Sequence, residues 1–263
     1  SALVSFISTA RWFGGKGRPF RVAGVTRLGL LGATGAIDLV ELRFGDRDEA
    51  EFYQLPLAFY AQPHEQLPTA LVGSWNDADF GTSYVYDATH DPDVMSAWLT
   101  AFSASGRAGG LHFQRLPGHQ LDLTARPQLF TGEQSNSSIA FGQDSLLKVF
   151  RKVTPGLNPD VEIHAELTQS GSTHIAALYG WLEAAGPRGP GGAGGGGETM
   201  QLAMLQQFLP GATDGWDLAE ASVRELLGVA DHTVGFLDDA ALLGTALAEV
   251  HADIAARFPC QTY

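Results

Sequence analysis

The chain has a single cysteine, Cys260, so it can form neither an intrachain disulfide nor a cysteine-based zinc site. Basic residues are scarce: 16 lysines and arginines stand against 29 aspartates and glutamates, for a net charge of -13. That excess excludes a general affinity for nucleic acid or anionic membrane surfaces, while leaving room for a local basic pocket that takes a phosphate ligand. No apolar run approaches the roughly eighteen residues of a spanning helix, and the opening "SALVSFISTARWF" lacks the charged start and long apolar stretch of a secretory signal. Together these absences predict a soluble cytoplasmic protein.

What is present is ordinary globular material: 263 residues, 44% hydrophobic and 17% charged, enough for two modest domains or one large one with a real core. Residues 3–13 carry a short helical pattern that ends at Gly14 and Gly15. The alternating pieces "RVAGVTRLGLL", "AIDLVELRF" and "EAEFYQLPLAF" predict an antiparallel sheet backed by that helix up to about residue 88. From Asp91 an Asp-Pro start and a glycine-rich stop frame a second helix, followed by irregular strands at "LHFQRLPG" and "ARPQLFTG". Asn158 as cap, Pro159, Asp160 and Glu162 in the first turn, and Gly171 as stop predict a third helix. Strands at "HIAALYGWLEA" and "TMQLAMLQQFL" and two terminal helical stretches complete the chain.

Several segments invite over-reading. "AGPRGPGGAGGGGE" reads as a floppy hairpin loop, because it holds no lysine and no Gly-Lys-Ser/Thr phosphate signature. "WFGGKGR" fails as a P-loop since Gly17 follows the lysine, and a turn packing the N-terminal region suits it better. His251 has no second ligand at metal spacing and reads as a packed or half-exposed helix histidine. Trp12, Trp181 and Trp216 read as apolar anchors.

One stretch carries chemistry: "GEQSNSS" at 132–138 followed by "SLLKVF" at 145–150. Small side chains in a turn let backbone N–H groups approach a phosphate, and Gly132, Ser135, Asn136, Ser137 and Ser138 supply such a turn, although a polar hairpin needs nothing more. Lys148 lies inside an apolar run, so it either snorkels from an edge or points at an anion. In protein kinases a strand lysine beyond the phosphate-covering loop contacts the phosphates and pairs with a helix glutamate; Glu162 or Glu166 is placed to serve. Gln206, Gln207, Phe208 and Leu209 then stand where a hinge would present backbone groups to an adenine edge, with Asp214 and Asp217 as caps, polar contacts or solvated charges.

These pieces, with "RWFGGKGR", "LKVFRKVTPGLNPDVEI" and "QQFLPGATDGWDLA", resemble the maltokinase family, which is similar to aminoglycoside phosphotransferases and other eukaryotic-kinase-like small-molecule kinases. The resemblance implies an α+β fold: a cystatin-like cap of curved antiparallel sheet plus helix at 1–90, a kinase N-lobe-like region at 91–211, and an incomplete helical C-lobe at 212–263. It implies transfer of the ATP γ-phosphate, with Mg²⁺, to the anomeric hydroxyl of maltose; a trehalose-synthase-type partner docking through the cap belongs to the alternative of a non-catalytic module. By the same resemblance Gln134, Ser135, Asn136, Ser137 and Ser138 cover the phosphates, Lys148 holds them, Glu162 orients Lys148, and Gln207, Phe208 and Leu209 form the hinge. The family's catalytic His-Gly-Asp-x-His and its metal-binding Asn/Gln and Asp do not occur in these 263 residues. No catalytic or metal-binding residue is therefore assigned, and the chain is expected to be truncated and inactive alone. Two alternatives stand beside this: a kinase for another sugar or an aminoglycoside, and a non-catalytic interaction module.

Overall fold

A computed structural model describes residues 2–45, 50–130, 135–187, 197–228 and 235–259. Two compact units emerge, one of Ser1–Val161 with Leu178–Phe208 and one of Glu162–Ala177 with Leu209–Tyr263.

The first unit opens with helix α1 (Ala2–Thr9) and the strands β1 (Phe20–Leu31), β2 (Gly35–Phe44), β3 (Ala50–Tyr60), β4 (Leu71–Asp77) and β5 (Gly81–Asp87). They form an antiparallel sheet of order β1-β2-β3-β5-β4. Irregularities in β1 between Val22 and Gly24 and between Arg27 and Gly29 bend the strand, as bulges do. Ile7 of α1 is buried with Val40, Leu42, Leu55, Leu57 and Val85 in the core of this layer.

The helix stops at Thr9, short of the expected residue 13. Its end is turned inward by aromatic burial: Phe13, 2% exposed, packs on Phe20 at 4.9 Å and Tyr53 at 5.5 Å. Continuing the helix would carry that ring away from the sheet. Strands β4 and β5 were not separately visible in the sequence, because the shift between Leu71 and Gly73 breaks the alternation.

A second sheet follows, built from β6 (Arg107–Ala108), β7 (Leu111–Arg115), β8 (Pro127–Phe130), β9 (Asn136–Phe141), β10 (Ser145–Phe150), β12 (Leu178–Ala185) and β13 (Thr199–Gln207), in the order β6-β7-β12-β13-β10-β9-β8. Helix α2 (Pro92–Ser103) covers one face of it. Its start is fixed by Asp91, whose carboxylate accepts the Asp93 and Val94 amides at 2.9 and 3.3 Å. Trp98 and Phe102 of α2, both fully buried, meet Phe113 edge-on at 6.2 and 5.0 Å.

The two sheets are sewn together where β10 ends. The chain passes through Arg151 into β11 (Lys152–Val153), which pairs with β3 of the first sheet. Buried Gln54 of β3 donates its side-chain amide to the Phe150 carbonyl at 2.8 Å and to the Leu202 carbonyl. Its own N–H donates to the Arg151 carbonyl at 2.8 Å.

The second unit is helical. Helix α3 (Pro159–Ser170) starts in the first unit, where the Asn158 side chain accepts the Asp160 amide at 2.9 Å, and its residues from Glu162 belong to the second. Helix α4 (Gly215–Gly228) is capped by Asp214, which accepts the Trp216 amide at 2.8 Å, and α5 (Gly235–Arg257) follows. His174, expected within a strand, lies before β12 and meets Glu249 of α5 at 2.5 Å.

Candidate nucleotide site

Strands β9 and β10 form an antiparallel hairpin in which Lys148 lies opposite Ser138, and β13 places Met204 on its other side. Side chains alternate along each strand and directly paired residues share a face, so Ser138, Lys148 and Met204 form one row across the sheet. The opposite face carries Leu147, Val149, Ile139, Ala203 and Leu205, all essentially inaccessible. Phe113, which α2 covers, belongs to that packed side. The lysine thus projects from the face that α2 does not cover.

Lys148 is half-buried, and among the described residues of its own unit it makes no ion pair. Beside it the Ser138 hydroxyl, 2% exposed as a residue, has no hydrogen-bond partner. Further along the same face the Gln206 side-chain oxygen is buried and likewise unpartnered. Unmet buried polar atoms cost free energy, and they mark places where a ligand can complete the bonding. A cation flanked by an unmatched hydroxyl suits an anionic phosphate.

The remaining expected residues are distributed as follows. Gln134 and Gly132 lie outside the described residues, and Ser135 is exposed at the start of the hairpin arm. Asn136 shares the parity of Ser138, whereas Ser137 points to the other face, where its hydroxyl accepts from Arg151 Nε at 2.9 Å. Gln207 ends β13 opposite Ser145. The Phe208 N–H is already committed to the Asp144 carbonyl at 3.1 Å, so it is not a free hinge donor. Leu209 is exposed in the second unit, and its carbonyl accepts the Ala212 amide at 3.1 Å. Glu162 and Glu166 also belong to the second unit, and Glu166 approaches Arg257 at 3.9 Å. Asp214 acts as the cap of α4, and Asp217 lies in the first turn of that helix.

Two features escaped the sequence reading. Arg151, 1% exposed, donates through Nη2 to both carboxylate oxygens of Asp87 at 3.0 and 2.8 Å and to the Thr89 hydroxyl at 2.9 Å. Its pattern was legible in principle, since strand alternation puts residue 151 on the packed face with 147 and 149. At the far end of the hairpin, His119 bonds Asp144 at 2.9 Å and stacks on Tyr179 at 3.9 Å. Burial, with Asp144 adding to it, pushes the Tyr179 phenol up. Burial also pulls the Arg115 guanidinium down, which donates to the His119 carbonyl at 2.5 Å.

No group of three or more His, Cys, Asp or Glu that could hold a metal ion occurs among the described residues.

Residues 6–91 match the family described as the maltokinase N-terminal cap domain. The matched residues take in strands β1 to β5 and the end of α1. The chain is also 33% identical, over 129 residues, to a glucosamine kinase of Streptacidiphilus jiangxiensis, a match covering 48% of this chain and 27% of that protein. Among solved structures, glucosamine kinase in crystal form B superposes with a TM-score of 0.56 at 22% identity, covering 91% of this chain and 47% of that one. Crystal form A gives 0.52 at 21%, covering 97% and 52%. The chain spans about half the length of these solved relatives. The α+β architecture of cap and kinase-like sheet is thus a shared fold.

Proposed function

We propose that the chain is the cap and ATP-binding portion of a sugar kinase, and that the Lys148 face of β9, β10 and β13 receives the nucleotide. The observation that carries this reading is Lys148 beside the unpartnered Ser138 hydroxyl on the face opposite α2. Lys148 and Ser138 bind phosphate oxygens, Ser135 and Asn136 line the approach, and Gln206 completes the adenine end. Glu162 is the helix carboxylate of this reading. Mg²⁺ arrives with the triphosphate. With no His-Gly-Asp-x-His in the sequence, these residues hold and orient ATP but transfer nothing.

Maltose is the acceptor that the cap family supports, with maltose 1-phosphate as product. The glucosamine kinase relatives favour an amino sugar as a second reading. A trehalose-synthase-type partner for the cap rests on the family resemblance. No described helix is long and apolar enough to cross a membrane, which accords with a cytoplasmic sugar enzyme.

The test is a thermal melt with and without MgATP. Wild type should gain several degrees at millimolar MgATP, and Lys148→Ala should abolish the gain while melting normally without nucleotide. No shift in the wild type would leave the chain an interaction module. ADP release with maltose or glucosamine should stay at background for this chain.

A further inference from the structure

A cavity of about 550 Å³ lies within the first unit, between the first turn of α1 and the face of the first sheet that this helix covers. Its floor is aliphatic, made by Val40 of β2 with Leu55 and Leu57 of β3, and the Trp75 ring of β4 stands at its side. Val25 of β1 is 50% exposed although it pairs directly with the buried Val40, so the cavity leaves apolar surface uncovered. One end is ionic. Arg27 donates through Nε to Asp38 at 2.6 Å, through Nη1 to Asp77 and Asp79 at 3.2 and 2.7 Å, and through Nη2 to Asp38 and Asp77 at 3.3 and 2.9 Å. A guanidinium has five N–H donors, and all are committed. Three carboxylates against this one cation leave two negative charges in excess among the described lining residues. Burial pushes the Asp38 carboxyl up despite Arg27, and the charges of Asp77 and Asp79 add to the rise. An apolar cavity with a few convergent polar groups at one end is the usual form of a small-molecule site. Here the excess charge repels an anion, and the aliphatic floor offers nothing to a bare metal ion.

We propose that this cavity is a binding site for a small organic amine with an apolar body, its ammonium at Asp77 and Asp79 and its body over Val40, Leu55 and Leu57 beside Trp75. The ammonium offsets the excess negative charge and donates to carboxylate oxygens, while the body covers the apolar surface that the helix leaves open. The Trp75 ring adds an electron-rich neighbour that favours a cation. None of the residues of the Lys148 face takes part, so the site is independent of the nucleotide reading.

The test is an NMR titration of the amide signals with benzylamine and, in parallel, with benzyl alcohol and benzoate, which keep the ring but remove or reverse the charge. Benzylamine at millimolar concentration should shift the amides of residues 25–27, 38–40 and 74–79 saturably. Benzyl alcohol should bind about tenfold more weakly, and benzoate should not bind. Asp79 is 45% exposed, so Asp79→Asn should keep the fold and weaken benzylamine about threefold. Val25→Trp, at a half-exposed position, fills the cavity, and Ser74→Lys at the exposed rim supplies a competing ammonium; each should abolish binding while melting near the wild type. Lys148→Ala should leave binding unchanged. No saturable shift with benzylamine, or equal binding of benzyl alcohol, would overturn the proposal. So would benzylamine binding that survives both Val25→Trp and Ser74→Lys.

Discussion

Arg151 and Asp87 show how much a single buried pair decides. With side-chain exposures of 1% and 6%, both charges are withdrawn from water, and each is tolerable because the other is present. Removing one partner leaves an uncompensated buried charge. Asp87→Ala should therefore cost about 3 kcal/mol or more, read as a lower urea midpoint with an unchanged slope. Glu51 makes a gentler case. Burial works against its charge, but Lys152, Tyr53 and Arg18 outweigh it and hold the carboxyl below its ordinary value of 4.5. A depressed folded value stabilises above the unfolded value, and that contribution disappears as the pH falls through the folded one. Wild type should accordingly exceed Glu51→Gln by at most about 1 kcal/mol at neutral pH, given the half-exposed Lys152, with the gap closing in acid. Lys148 stood out in the sequence because a lysine amid Leu146, Leu147, Val149 and Phe150 demands a reason. Arg151 did not, because it lies at the end of the apolar run beside Lys152, where only strand alternation marks it as the inward cation.

Local chemistry made some elements legible. Asn158 and Asp91 cap α3 and α2 through their side chains, and such caps depend on neighbours in sequence. Other boundaries answer to distant partners. Helix α1 ends where Phe13 must reach the sheet, and β12 begins at Leu178 because its pairing with Gln206 starts there. Close strand approach also fixes Gly180: a Cβ there would come within 2.2 Å of the Gln114 carbonyl oxygen. The backbone of β7 or β12 would have to move, so Gly180→Ala should destabilise by about 2 kcal/mol, seen as a lower melting temperature. Its hydrogen exchange should rise first along the β7–β12 ladder.

At the scale of the whole molecule, the decisive arrangement is one strand serving two sheets. Residues 145–150 form the lysine strand of the kinase-like sheet, and residues 152–153 join the cap sheet through β3. The first sheet is thereby built into the second by backbone pairing, by Gln54 and by the Arg151 network. The sequence foretold both sheets, but it could not foretell their joining, which depends on contacts between residues as far apart as Gln54 and Leu202. Amide hydrogen exchange with and without MgATP tests the central claim most directly, because it reports where the nucleotide sits. Protection should rise at 135–141 and 145–150 and vanish in Lys148→Ala, while β1 and β2 of the cap stay unchanged. Protection confined to the cap, or none anywhere in the wild type, would contradict the assignment of the Lys148 face as the nucleotide site.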